Sequence, residues 1–280
     1  MFRTMPRMQK QHIYKFILGA CVIGVGIWLL VSGGGKNGIR TATTTPNMHA
    51  TSTDATSTTV SIGGIDINVP SGATITEISS GADSTPPPTL DRSVTFPDFY
   101  TDEQKTIVEK KMNDTIQALK NDPTQFAYWL ELGILRSNVQ DYEGAKEVYE
   151  YLNAVSPNNS ISFMNLGNLY YLYLKDYMKA EGNFKHAITN NPNNMQAYQS
   201  LYELYTNAYK QNTDSGLNTL LEALSVMPNN VDFLRAVGME YKKRGDTAHA
   251  RTYLEKARDE AQKLDNQGLV DTLEQELSSL

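Results

Sequence analysis

The sequence has little of what most enzyme sites are built from. Its 280 residues include one cysteine and four histidines, and no two histidines have the spacing of a metal site. A glycine-rich phosphate loop and a G-x-S-x-G elbow are both missing. One cysteine cannot form an intramolecular disulfide, so packing must stabilise the fold. We therefore predict a protein that is not an enzyme and that uses no cofactor and no metal.

The chain also lacks the basic surface that nucleic-acid binding requires. Its formal net charge is −6, and from Asp98 onward 18 Lys and Arg residues stand against 26 Asp and Glu residues. The run Lys242-Lys243-Arg244 is a short exception at a predicted helix end, where cations complement the helix dipole. We therefore expect no nucleic-acid partner.

An internal repeat is the strongest pattern that the sequence does contain. Pro157, Pro192 and Pro228 lie 35 and 36 residues apart, and each closes a segment with the same order of small, aromatic and aliphatic residues. Four copies keep most of this order between residues 124 and 265. The matching residues are Trp129, Leu132, Gly133, Ala145 and Tyr149; Phe163, Leu166, Gly167, Tyr170, Ala180, Phe184 and Ala187; Tyr198, Leu201, Tyr205, Leu220 and Ala223; and Leu234, Val237, Gly238, Tyr241, Ala250, Leu254 and Ala257.

This pattern, with a period of about 34, resembles the tetratricopeptide repeat (TPR), a helix-turn-helix unit that stacks on its neighbours. The resemblance implies an all-α fold, a right-handed α-solenoid of about four helix pairs. The pairs would occupy residues 126–159, 160–194, 195–230 and 231–264. Small residues let the two helices of a pair cross closely, and each pair needs its neighbours to bury its apolar stripe.

Both ends of the array carry helix signals. Thr101 and Gln104 have the spacing of a capping box, which predicts a leading helix within residues 98–123. Asn266 could cap a last amphipathic helix, which predicts a capping helix over residues 266–280. A solenoid needs such polar-faced ends to stay soluble.

Several positions depart from the repeat pattern. Arg136 occupies the usual Tyr position of the first copy, and Leu152 the usual Ala position. In the third copy Tyr202 stands where Gly is expected and Gly216 where Ala is expected, with about two extra residues between the helices. Gln262 replaces the closing Pro of the fourth copy. These departures show where the copies are least regular.

A second strong signal lies at the N-terminus. Residues 13–31 are nearly all apolar apart from Lys15, and as a helix they would span the ~30 Å core of a bilayer. More basic residues precede this segment than follow it, which favours a cytoplasmic N-terminus. We predict a cytoplasmic tail over residues 1–12, a single-pass transmembrane helix acting as a signal anchor in the cytoplasmic membrane, and an extracytoplasmic repeat domain. A cleavable signal peptide is the alternative.

The residues between the apolar segment and the array differ from both. Residues 32–57 are rich in Thr and Ser and residues 79–97 are rich in Pro, so both are predicted to be linkers. Between them, residues 58–78 contain alternating Val and Ile around Gly63-Gly64, which predicts a β-hairpin or a three-stranded meander. An isolated hairpin is only marginally stable. This island would therefore pack on the array, on a partner or on a second copy in an oligomer.

The TPR resemblance implies that a protein or peptide partner binds on the face formed by the first helices of the pairs. Amide side chains on this face could pair with an extended peptide because they both donate and accept. The function expected is a membrane-anchored interaction scaffold in envelope assembly, secretion or pilus assembly. Binding of cell wall or glycan through tyrosines is the alternative. The candidate residues are Leu130, Ile134, Asn138, Met164, Asn165, Asn168, Tyr171, Gln199, Glu203, Thr206, Arg235, Met239 and Lys242.

Overall fold

The computed structural model describes residues 85–280 and two short strands before them, β1 (Ser57–Ile62) and β2 (Ile65–Pro70). The strands pair with each other, and the two residues between them permit only an antiparallel arrangement. They lie at the position of the hairpin that the sequence predicts. The predicted third strand and the predicted transmembrane segment, residues 13–31, lie outside the described residues. Within the described part, no helix combines the length and the apolar character needed to span a bilayer.

The helical fold that the sequence predicts is confirmed over the described residues from 102 to 278, which form ten α-helices. The capping box of Thr101 and Gln104 begins the first of them. The helices are α1 (Asp102–Asn121), α2 (Phe126–Asn138), α3 (Tyr142–Val155), α4 (Ser160–Leu169), α5 (Tyr177–Asn190), α6 (Met195–Asn207), α7 (Ser215–Val226), α8 (Val231–Lys243), α9 (Thr247–Lys263) and α10 (Gln267–Ser278).

The chain divides into two compact units. Among the described residues, the first unit contains the strands as far as Val69, the helices α1 to α3, and Leu172–Leu174. In it, α2 packs against α1 and α3, and β1 lies beside α2. The second unit contains α4 to α10. There, each helix packs against the next one along the chain, which is how repeated helix pairs share a core.

Glycine allows the two helices of a pair to approach closely in three of the four pairs. A Cβ atom added to the glycine of the first helix would lie far inside contact distance of a large side chain on the second helix. The glycine therefore faces that large residue, and in the fourth pair it also lies close to the backbone of Ala250. The separations are 2.5 Å for Gly133 and Tyr149, 2.7 Å for Gly167 and Phe184, and 2.7 Å for Gly238 and Leu254.

A π-helical turn absorbs one extra residue in the second copy. Gly167 and Ala180 are 13 residues apart, whereas Gly133 and Ala145 are 12 apart. The chain forms a π-helix over Tyr170–Leu174, directly after α4, and a π-turn takes more residues into a helix than an α-turn does. It closes at Lys175, whose φ is 58°. The helix pair thus keeps its packing in spite of the insertion.

Asparagine begins four of the helices. Asn159, Asn194, Asn230 and Asn266 each accept a backbone N–H of the first turn of α4, α6, α8 and α10. Asparagine is among the best N-cap residues because its side-chain oxygen satisfies a donor that has no partner within the helix. Three of these caps end the sequence Pro-Asn-Asn, so the proline that closes one copy stands directly before the cap of the next.

The end of the predicted Pro-rich linker is attached to the first unit. We call residues 89–100 the strap. Arg136, which is buried, donates from Nη2 to the carbonyl oxygen of Thr89 (2.6 Å) and from Nη1 to that of Gly144 (3.2 Å). Arg92 forms an ion pair with Asp141 (2.8 Å). Thr89 and Arg92, within the predicted Pro-rich linker of residues 79–97, thus contact α2 and the start of α3.

The strap also explains why the first copy carries arginine at the usual tyrosine position. Arg136 uses two guanidinium nitrogens to reach two carbonyl groups, whereas a tyrosine hydroxyl has a single proton to donate. Burial lowers the pKa of Arg136, and the nearby carboxylate of Asp141 opposes that effect. Arg136, which departs from the repeat pattern, thus binds the strap that precedes the array.

Candidate functional site

The three candidate residues of the first copy lie on α2 in the first unit. Leu130 is completely buried, and Ile134 and Asn138 are half-buried. The hydroxyl of Tyr100, in the strap, donates to the backbone carbonyl of Asn138 (3.1 Å). The strap therefore contacts the end of α2 that carries Asn138. The site described below is confined to the second unit.

In the second unit, tyrosine side chains join the first helix of one pair to the first helix of the next. The hydroxyl of Tyr171, which follows α4, contacts the backbone oxygen of Glu203 on α6 (3.5 Å). The hydroxyl of Tyr202, also on α6, donates to Oε1 of Glu240 on α8 (2.7 Å). The candidate residues of α4, α6 and α8 are thus carried by neighbouring elements. We call Asn165, Asn168, Tyr171, Gln199, Glu203 and Met239 the binding face.

Asn168 is the most informative residue of the binding face. It is 3% exposed, and its side-chain nitrogen has no hydrogen-bond partner within the described part of the chain. Buried polar groups are almost always paired, and leaving one unpaired costs about 1–3 kcal/mol. Tyr171 lies three residues further on, in the π-helical turn that directly follows α4. The nitrogen itself is sealed from solvent, so a carbonyl oxygen supplied by a ligand would satisfy this donor once the side chains that cover it move.

Glu203 contributes a carboxylate to the binding face. It is solvent-exposed, and it forms no ion pair with any residue that the structure describes. Protein atoms around the carboxyl group displace enough water to raise its pKa. Two cations of the second unit have other partners: Lys210 pairs with Glu181 (2.8 Å), and Arg235 pairs with Glu276.

Tyr202 brings a second carboxylate close to Glu203. Burial raises the pKa of the Tyr202 hydroxyl, and so do its hydrogen bond to Glu240 and the nearby charge of Glu203. The hydroxyl therefore stays protonated and keeps donating to Glu240. Nothing in the local pattern indicated Glu240 as part of this region, because its contact with Tyr202 spans 38 residues.

Four other candidates are engaged in the fold. The side-chain nitrogen of Asn194 lies 3.8 Å from Sδ of the buried Met164. Thr206 donates to the carbonyl of Tyr202 within its own helix (2.9 Å). Arg235 and Lys242 reach the capping helix region, at Glu276 and Ser279. Met239, by contrast, is 38% exposed.

Two further half-buried tyrosines, Tyr177 and Tyr209, extend from Tyr171 of the binding face. The rings of Tyr171 and Tyr177 meet edge to face with their centroids 6.4 Å apart, and those of Tyr177 and Tyr209 lie at the same separation. Lys210 lies over the ring of Tyr209 at 5.0 Å. Such rings offer apolar surface with a polar edge, which suits contact with a peptide or with the face of a sugar.

No protein-family model matches the sequence, and no curated protein matches it either. Solved structures do match. MamA is 19% identical, with a TM-score of 0.48, and the match covers 60% of this chain and 99% of MamA. YrrB, described as a TPR protein with an unusual peptide-binding site, is 18% identical, with a TM-score of 0.44 and coverage of 62% and 86%. PilF of Pseudomonas aeruginosa is 16% identical, with a TM-score of 0.46 and coverage of 63% and 86%.

Those identities and TM-scores are too low to support a functional inference. The function of this chain must therefore be argued from its own residues, above all from Asn168 and the side chains that surround it on the second unit.

Proposed function

We propose that this chain is a membrane-anchored, non-catalytic scaffold that binds an extended segment of a partner protein on the binding face of its second unit. The unpaired amide nitrogen of the buried Asn168 is the observation that carries the proposal. An extended peptide presents a carbonyl group at every residue, so it can satisfy such a donor without a particular side chain. The TPR resemblance of the sequence supports the same class of partner.

The membrane part of the proposal rests on the sequence. Residues 13–31 have the length and apolarity of a membrane span, and the basic residues before them favour a cytoplasmic N-terminus. The repeat domain would then work outside the cytoplasmic membrane, where a tether raises its local concentration near membrane-bound partners. Envelope assembly, secretion and pilus assembly are the processes in which we propose that it acts.

Proximity labelling from the C-terminus tests the interaction, because the partner is unidentified. We expect a small set of proteins to be labelled by the wild-type chain and lost with Asn168→Leu, which removes the donor. Ser162→Ala is the matched control, since Ser162 is also buried on α4 with a hydroxyl that has no partner in the described residues. It lies six residues before Asn168 and so on a different side of the helix. Equal labelling by all three chains would contradict the proposal.

The proposed topology has a separate test. Protease added to spheroplasts should digest the repeat domain while an intact cytoplasmic reporter remains. Protection of the repeat domain from outside the cell would overturn the topology and leave the proposed binding face to be tested inside the cell.

Binding of glycan is the second candidate, and the half-buried tyrosines favour it. Tyr171, Tyr177 and Tyr209 could stack on sugar rings. This candidate predicts that purified cell wall retains the wild-type chain and releases Tyr177→Leu. Retention that does not change in this variant would exclude the tyrosine cluster as a glycan site.

A further inference from the structure

We propose that the segment bound by the second unit presents a lysine or arginine side chain to Glu203. This inference rests on the proposed function and specifies the chemistry of the partner. It comes from the charges on α6 and α8, from the partners of each charged group, and from the unpaired amide of Asn168 on the preceding first helix.

Glu203 is the carboxylate of the binding face that the fold does not use. Glu181 binds Lys185 and Lys210, Glu240 accepts from Tyr202, and Glu276 binds Arg235. Glu203, in contrast, has no cationic partner in the part of the chain that the structure describes, and it is exposed to solvent. A cation from a ligand would therefore meet no competing partner among the residues that the structure describes.

The surroundings of Glu203 favour a cation over an anion. Glu203 directly follows Tyr202 in α6, and the hydroxyl of Tyr202 donates to the buried Glu240 (2.7 Å), so a second carboxylate is bound to the residue next to Glu203. Arg244 is 3.9 Å from Glu240 and also binds Asp214, so it is directed to other carboxylates. An acidic segment would be repelled from this position.

The apolar part of a basic side chain also has a place to lie. Met239 occupies the same position of the fourth copy as Glu203 does in the third, directly before Glu240, and is 38% exposed. Lysine and arginine bury their methylene groups on apolar surface while the charged end stays polar. A basic residue therefore suits the combination of an unmatched carboxylate and an exposed methionine better than an aliphatic residue does.

The second observation that points to a ligand is independent of charge. Asn168 on α4 is buried and has an amide nitrogen without a partner in the described residues. Tyr171, in the π-helical turn that follows α4, contacts the backbone of Glu203 itself. A peptide that gives a backbone carbonyl to Asn168 thus passes beside Tyr171, the residue that contacts the backbone of Glu203.

Selection from a random peptide library displayed on phage tests the inference with the full chain in detergent micelles. Wild-type protein, Glu203→Lys and Glu222→Lys are compared in parallel. Glu222 is the matched control because it is an exposed glutamate of the same unit, on the second helix α7. Thermal unfolding of the three chains confirms that each is folded before selection.

We expect the wild-type chain and Glu222→Lys to enrich peptides that contain lysine or arginine. The variant Glu203→Lys should lose that preference and enrich aspartate or glutamate instead. For one selected peptide, Glu203→Gln should weaken binding about two- to fivefold, which is the range for an exposed ion pair. Replacing the basic residue of the peptide should then have no further effect in that variant.

Three results would overturn the inference. If the wild-type chain selected peptides without basic residues, the charge argument would be refuted, while the binding face would stand. If basic peptides bound Glu203→Lys as tightly as the wild type, their cation would contact a residue other than Glu203. No enrichment by any of the folded chains would refute both this inference and the proposed function.

Discussion

In the third helix pair, the ring of Tyr202 lies against Gly216. A Cβ atom added to Gly216 would lie 3.4 Å from Cδ2 of Tyr202 and 3.2 Å from Cγ2 of Thr206. In the other three pairs the glycine is on the first helix and the large residue on the second. Here the large residue is on α6 and the glycine on α7. Two departures that look independent in the sequence therefore compensate each other.

This reversal predicts different responses to alanine at two glycines. Gly167→Ala places Cβ 2.7 Å from the buried ring of Phe184, so we expect the free energy of unfolding to fall by about 1–3 kcal/mol. Gly216→Ala meets Cγ2 of Thr206 at 3.2 Å and the ring of Tyr202 at ordinary contact distance. Alanine favours a helix interior by about 0.5–1 kcal/mol over glycine, and less at Gly216 because it is the second residue of α7. We expect a change smaller than about 1 kcal/mol. Urea unfolding of both variants checks this, and equal losses would contradict the reversed packing.

The strap should depend on Arg136. Replacing it in Arg136→Met removes two hydrogen bonds to carbonyl groups, and we expect a loss of about 1.5–3 kcal/mol because bonds from charged donors are strong. Trypsin should then cut after Arg92 at least several times faster than in the wild type. Arg251→Met, at an exposed position of α9, is the control and should leave the rate of this cut unchanged. If Arg92 stays protected in Arg136→Met, the strap is held by other contacts.

Lys175 has a left-handed backbone conformation that glycine adopts with less strain. Its φ of 58° lies in the left-handed region, which disfavours residues with a Cβ by about 1–2 kcal/mol. We expect Lys175→Gly to raise the free energy of unfolding by about 0.5–1 kcal/mol. Lys179→Gly, within α5, should lower it by about as much. Denaturant unfolding measures both, and a loss of stability in Lys175→Gly would mean that its side chain matters more than its backbone.

Glu181 should make stability depend on pH in the acid range. Burial alone would raise the pKa of its carboxyl group, but hydrogen bonds from Lys185, Lys210 and Tyr205 lower it from 4.5 to about 2. A carboxyl group with a lowered pKa stabilises the folded state fully above its unfolded value and loses that contribution as pH falls toward its folded value. The contribution should therefore disappear between pH 4.5 and about 2.

The variant Glu181→Gln measures this contribution. We expect it to be less stable than the wild type by up to about 3 kcal/mol at pH 7, and the difference should shrink as pH falls through that window. Urea unfolding between pH 7 and pH 2 gives both values. A difference that stays constant with pH would show that the ion pairs of Glu181 do not stabilise the fold.

The helix pairs could be predicted from the sequence because their packing residues recur at a nearly constant spacing. Gly133 and Tyr149, for example, are 16 residues apart, as are Gly238 and Leu254. The strap could not be predicted in this way, because its bonds join Thr89 to a residue 47 positions away. Arginine at the tyrosine position was the one sign of it in the sequence.

The sequence predicts where the candidate residues lie along their helices but not what surrounds their side chains. Repeat register locates Asn168 and Met164 equally well on α4, yet Met164 lies against Asn194 and Asn168 has no partner in the described residues. The same register also locates Arg235 and Glu203. Arg235 forms an ion pair with Glu276 on α10, whereas Glu203 has no ion-pair partner among the described residues. Such contacts depend on residues 30 or more positions away, which local spacing does not report.

The central claim is that Asn168 keeps an unpaired donor for a ligand, and one paired measurement tests it most directly. Urea unfolding and the affinity for a captured partner peptide are measured for the wild type, Asn168→Leu and Ser162→Ala. We predict that Asn168→Leu is more stable than the wild type by about 1 kcal/mol, because an unpaired buried donor is removed, and that it binds the peptide about tenfold more weakly. Ser162→Ala should bind normally. A less stable Asn168→Leu with unchanged affinity would contradict the claim.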